Sequence, residues 1–225
     1  MKLVSKASLG AALALGMIAA GVATPAFAKK AEKAAPQYAP QLSKEFRVAI
    51  GAAQNAVKGG NAADAAAKLA AAEALATQPD EKFYVGAIGY DVYKLSKDPV
   101  AGRKAINQMI NANSRMVSNL AELNLASGNM AYEAGDYPDA IAKLTEADRL
   151  GSKDVNCLLR LAEAHFKLNQ QALGLTFVER AVAQSNASGQ KAPESWYARA
   201  ASVAYKAKLS SEVAKWTSAQ VRAYP

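Results

Sequence analysis

The stretch "GDYPDAIAKLTEADRL", Gly135 to Leu150, reads as a turn followed by one amphipathic helix. A helix of this length cannot bury its apolar face by itself, so it requires neighbours. The rest of the chain supplies them in a regular series, with Tyr132, just upstream, as the anchor. An aromatic or apolar residue recurs at Val57, Tyr93, Tyr132, Phe166 and Tyr205, in steps of 36, 39, 34 and 39 residues. Four residues before each anchor stands a small residue: Ala53, Gly89, Gly128, Ala162 and Ala201. Eight residues after it stand Ala65, Ala101, Ala140, Gly174 and Val213, small in every case but the last.

Two helices that cross closely leave room for little more than hydrogen or methyl at the contact, and an aromatic ring fills the space beside it. One helical turn separates small residue and anchor, which puts both on one face. Each unit is therefore a helix, a short turn and a second helix, repeated about five times. Gly59-Gly60-Asn61, Gly135-Asp136-Tyr137-Pro138 and Asn169-Gln170 supply turns shortly after the anchors, and Pro99 and Pro138 suit the first turn of the helices that follow.

The stretch "SGNMAYEAGDYPDAIAKLTEADRLGS", Ser127 to Ser152, resembles a tetratricopeptide repeat (TPR) through Gly128, Tyr132, Gly135, Asp136, Tyr137, Ala140, Ile141 and Ala147. The unit over residues 155–186 follows the pattern more loosely, through Leu161, Ala162, Phe166, Val178 and Ala181, with Gly174 in place of the usual alanine. The units over about 46–79, 83–111 and 193–225 are degenerate, and the third spans 121–152. The resemblance implies an all-α chain over 42–225, a right-handed α-solenoid of about five TPR-like helix-turn-helix units with a concave and a convex face. The helix from Tyr137 to Leu150 then packs on its partner, about Leu120 to Ala134, and on the next first helix, Asn156 to Leu168. The last helix, Glu212 to Tyr224, carries Lys215, Ser218 and Arg222 and suits a polar cap.

Ahead of this array, Lys2 and Lys6 precede an apolar run from Leu9 to Val22 and the segment Thr24-Pro25-Ala26-Phe27-Ala28. This reads as a secretory signal peptide over 1–28 with an A-x-A cleavage site, which places the mature protein in the periplasm with no integral membrane span; the rival reading is an uncleaved membrane anchor, for which the run is shorter than the roughly 20 residues a bilayer needs. Residues 29–41, rich in Lys and Ala with Pro36 and Pro40, read as a flexible leader. Cleavage removes Lys2 and Lys6, taking the formal charge from +8 to +6. A basic exported chain suits acidic proteins, anionic polymers or membrane surfaces; nucleic acid is not an expected partner. The composition is rich in alanine and poor in aromatic residues, which favours helices.

The search for chemistry ends in structural readings. Cys157 has no partner for a disulfide and sits in an apolar stretch, as a small buried hydrophobe. His165 is the one histidine, too few for a metal site, and reads as a hydrogen-bonded packing residue. Glu163, two residues away, does not face it. There is no G-x-S-x-G elbow, and Gly59-Gly60 lacks the Lys-Ser/Thr of a phosphate loop. Asp136 and Asp139 read as helix-start residues. No enzyme, metal or cofactor is expected.

One pattern exceeds packing: the residue after each anchor is Lys58, Lys94, Glu133, Lys167 and Lys206. The resemblance implies that first helices line a concave peptide groove, so the lysines would border it, with Arg160 and Arg199 adding charge six residues before their anchors. Leu125, Asn129, Leu159, Glu163 and Ser202 fall in the same register. The carboxylate clamp of some family members is not implied: Asn129 and Arg160 fit it, but Leu125 and Glu122 stand where lysines belong. The expected function is a non-catalytic scaffold or adaptor of the bacterial cell envelope that binds a protein or an acidic or extended peptide; the alternative is an accessory factor that binds an anionic envelope polymer or membrane surface. Partner identity and oligomeric state do not follow from the sequence.

Overall fold

The computed structural model describes residues 38–225; the expected signal segment 1–28 and leader residues 29–37 lie outside them. Within Pro40–Pro225 the chain forms ten helices, with no strand among the described residues. They pair as α1 (Lys44–Lys58) with α2 (Ala62–Glu73), α3 (Pro79–Ser96) with α4 (Pro99–Asn111), α5 (Leu120–Glu133) with α6 (Tyr137–Arg149), α7 (Val155–Lys167) with α8 (Gln171–Ala187), and α9 (Glu194–Lys206) with α10 (Ser210–Ala223).

Local chemistry fixes where the helices start. Asn61, Asp98, Asp136 and Asp154 each precede a helix and accept a hydrogen bond from a first-turn N–H, on Asp64, Val100, Asp139 and Asn156. Pro79, Pro99 and Pro138 occupy first-turn positions, where the missing N–H has no intrahelical partner to lose. Gly135, at φ 79°, turns the chain between α5 and α6 in the left-handed region.

The helix of the opening stretch packs on α5 and α7 and ends at Arg149. Gly128 makes the α5–α6 contact possible, since a Cβ there would stand 2.7 Å from the Leu144 side chain. There is no single core. Small apolar clusters follow one another along the array, each shared between successive units: Phe46, Ala53, Val85 and Ile88; then Ile106, Met109 and Leu123; then Leu144, Leu158 and Leu161; then Ala162, Val178, Tyr197 and Trp216. This is the nearest-neighbour architecture of a solenoid.

Ion pairs repeat with the units. Lys104 meets Glu73 at 3.1 Å, Arg180 meets Asp148 at 2.9 Å and Lys215 meets Glu179 at 2.7 Å, each joining the second helices of neighbouring units. Arg103 bridges Asp136 and Asp139 at 2.6 and 2.7 Å, so those carboxylates anchor α4 as well as starting α6. Lys215 reaches back to α8 and, with Ser218 and Arg222, is exposed on the last helix, and α10 starts two residues before the sequence reading, at Ser210. The spacing is uneven: α1 touches α3 and α5 touches α7, but α3 and α5 stand apart, joined through α4 and the eight-residue linker from Ala112 to Asn119, and the α7 and α9 backbones stand apart too, joined through α8 and the Arg199–Glu163 pair.

The fifth unit departs from the sequence register. Ala200 and Ala204 are buried while Ala201 is half-buried, and Tyr205 is 74% exposed rather than filling an interhelix gap.

Candidate binding surface on the first helices

The first helices of successive units bring arginines over the aromatic anchors. Arg160 of α7 lies 5.3 Å from the Tyr132 ring of α5, and Arg199 of α9 lies 5.8 Å from the Phe166 ring of α7. A guanidinium over a ring face is attracted by the ring quadrupole. Carboxylates hold both: Arg160 donates to Glu133 at 3.4 Å, and Arg199 donates through Nε and Nη2 to the two oxygens of Glu163 at 3.0 and 2.8 Å. The hydrogen bond to Glu163 is the main cause that raises the Arg199 pKa. Arg160 and Arg199 were expected to add charge at a groove and Glu163 to share its register; the structure pairs Glu163 with Arg199 and Arg160 with Glu133, and sets each arginine over a ring of the preceding unit.

The remaining candidates separate into two groups. Leu125 and Leu159 pack against the Leu144–Leu158 cluster and are half-buried. Asn129 is half-buried, with an Oδ1 that is buried and accepts no hydrogen bond. Ser202 and the four lysines are exposed. Lys58, Lys167 and Lys206 each end a first helix, where the helix terminus favours a cation, and none has an ion pair among the described residues. Lys94 pairs with Asp91 at 2.5 Å and lies over the Tyr90 ring.

No family model and no curated protein matches the sequence. Among solved structures, a MamA RS-1 double mutant matches at a TM-score of 0.50 and 11% identity, over 81% of this chain and 96% of that one. A crystal structure of MamA matches at 0.50 and 12%, over 76% and 93%. A putative kinesin light chain from Podospora anserina with TPR-like repeats matches at 0.44 and 12%, over 79% and 93%. Paired helices at a spacing of 34 to 39 residues, closed by small residues and matched over most of the chain by the two MamA structures, decide the architecture. The chain has the tetratricopeptide-repeat fold.

Within this TPR fold, the residues singled out for chemistry are structural. His165 is 6% exposed; its Nδ1 lies 2.6 Å from Gln170 Oε1, and its ring stacks on Phe177 at 5.3 Å. Cys157 is 1% exposed and its Sγ donates to the Leu144 carbonyl. Burial, with smaller contributions from Asp148 and Asp154, pushes its thiol up to about 12. Modification by a disulfide reagent at pH 8 is therefore expected to run on the order of a hundredfold slower in the native protein than in urea-unfolded chain. Equal rates would show that the site opens readily. No group of acidic, His and Cys residues fit to hold a metal ion occurs among the described residues, and no described helix is long and apolar enough to cross a membrane.

Two features escaped the sequence. Arg103 gave no signal, because its partners Asp136 and Asp139 lie more than thirty residues away. The buried pair Asp80 and Glu81 had one: Pro79 in a first turn followed by Glu81 marks a helix start whose carboxylate can reach back to the preceding N–H groups.

Proposed function

We propose that this protein is a non-catalytic scaffold of the bacterial cell envelope that binds a protein or an extended, acidic peptide along its first helices. The observation that carries this reading is the row of exposed lysines, Lys58, Lys94, Lys167 and Lys206, each directly after an anchor that is aromatic except at Val57, on a repeat array of paired helices. Ion pairs and rings lock the arginines between units, so partner recognition falls to the lysines and to the apolar surface between them. A preformed surface of this kind binds without ordering itself first. The export signal and basic charge support an envelope location and an acidic ligand.

The test is an affinity capture from an envelope fraction with the mature protein and a Lys94→Glu/Lys167→Glu/Lys206→Glu variant of equal helicity by circular dichroism. A defined protein captured by the wild type and lost by the variant is the expected result. Equal capture would return the lysines to helix-end electrostatics. Capture of no protein, together with binding to anionic vesicles or polymer that disappears near 0.15 M salt, would favour a screened surface interaction instead.

A further inference from the structure

Three rungs of the aromatic series are received by their own units and the fourth is turned out. Tyr93 lies where Gly102 leaves room, since a Cβ there would come within 2.7 Å of its ring. Phe166 lies against Gly174 in the same way, in the room that such a Cβ would take. Tyr132 meets Tyr137 edge-on at 5.5 Å. The fifth unit has Val213 at the position of Gly174, and Tyr205 is 74% exposed. No described cation covers its ring, in contrast to Tyr132 and Phe166.

Tyr205 borders an open cavity of about 420 Å³ whose other walls are Lys206, Lys208, Ser210 and Val213. Neither lysine has an ion pair among the described residues, and no carboxylate lines the cavity. The backbone adds an independent observation. Three residues past the anchor, four units turn through the left-handed region, at Gly60 (φ 74°), Gly135 (φ 79°), Asn169 (φ 57°) and Lys208 (φ 57°). Glycine and asparagine suit that conformation and lysine does not. Lys97 adopts it too, one residue later in its unit (φ 60°). At the lip of this cavity the chain keeps a cation where glycine would fold more easily.

We propose that this cavity seats an acidic segment of the partner, with a carboxylate between Lys206 and Lys208 and an apolar side chain against Tyr205 and Val213. The proposal rests on the peptide-binding reading and assigns its principal contact to the fifth unit. Charge selects this occupant over a second copy of the chain, whose α1 brings Lys44, Arg47 and Lys58 against Glu45 alone. It also selects against the leader, which brings Lys29, Lys30 and Lys33 against Glu32.

The experiment is fluorescence anisotropy at about 0.15 M salt with a dye-labelled peptide of Glu and Phe residues and its Gln-for-Glu counterpart. Wild type, Tyr205→Ser, Lys208→Gly and Lys94→Glu/Lys167→Glu are compared. Tyr205→Ser and Lys208→Gly are each expected to weaken the acidic peptide at least about tenfold, as loss of an anchor does. Lys208→Gly should at the same time keep or raise the thermal midpoint, since glycine relieves the turn, so its loss of binding cannot be a loss of fold. Unchanged affinity in both variants, or equal binding of the glutamine peptide, would overturn the proposal. Loss of binding in Lys94→Glu/Lys167→Glu but not in Tyr205→Ser would overturn it while leaving the wider reading standing. No binding to wild type would remove both. A concentration-dependent dimer in sedimentation, lost in Tyr205→Ser, would replace the peptide by a second copy.

Discussion

Replacing Glu81 by alanine is expected to destabilise the protein by about 3–5 kcal/mol, the loss typical of a buried charge network that is broken. Glu81 is fully buried. One carboxylate oxygen accepts from Ser43 N at 2.7 Å and Ser43 Oγ at 2.8 Å, and the other from Thr77 N at 2.8 Å and Gln78 N at 2.9 Å. Removing it orphans three backbone N–H groups at the starts of α1 and α3. Its neighbour Asp80, 2% exposed, takes Gln41 N at 2.7 Å and Ser114 Oγ at 2.6 Å, so one turn of α3 gathers three chain segments. Burial pushes the Glu81 carboxyl up, and the hydrogen bonds from Gln78, Ser43 and Thr77 together outweigh it and hold the group at about 2, against 4.5 for an exposed glutamate. Because the folded value is depressed, the stabilisation is present above pH 4.5 and is lost as pH falls through about 2; the shift corresponds to roughly 3 kcal/mol. Urea titrations from pH 7 to pH 2 should show the wild type losing its advantage over Glu81→Gln across that window. Parallel curves would mean that the carboxylate is not the tie described.

The second large effect is expected at Gly86. A Cβ at this position would stand 2.7 Å from the Ala105 carbonyl oxygen and 2.8 Å from Met109 N, both backbone atoms of α4, so no side-chain rotation relieves the clash. Gly86→Ala should therefore force α3 and α4 apart and cost about 3 kcal/mol, at the upper end of ordinary overpacking. Gly51, inside α1, supplies the control, because a Cβ there meets nothing within 4 Å. Gly51→Ala should be neutral or stabilise by up to about 1 kcal/mol through helix propensity. Thermal or urea midpoints decide both, and a tolerated Gly86→Ala would refute the close crossing.

The repeat was legible because its contacts are local. Gly128, Tyr132 and Gly135 declare a helix, a crossing and a turn within a few residues, and the structure uses them so: Gly128 under Leu144, Tyr132 beside Tyr137, Gly135 in the left-handed turn. The fifth unit misled for a physical reason. Its aromatic was aligned by spacing, but Val213 fills the room that Gly174 leaves for Phe166, and Ala201 is only half-buried where Gly128 and Ala162 are buried. The candidate surface was legible as a row of lysines at helix ends. That Arg160 would pair with Glu133 and Arg199 with Glu163 was not, because pairing across units depends on superhelical geometry rather than on spacing within one helix.

The space between α3 and α5 gives the array an uneven compliance. Elsewhere in its first half and centre, lengthening the superhelix means sliding one first helix over another, as at α1 with α3 and α5 with α7. Between the second and third units, and again between the fourth and fifth, no such contact resists, and tension or a wedge-shaped partner would act there, on Arg103 and its two aspartates at the first place and on the Arg199–Glu163 pair at the second. The protein is thus less a uniform coil than three stiffer segments, of two, two and one units, with a softer turn at each joint, able to change its pitch there while the surfaces on either side keep their shape.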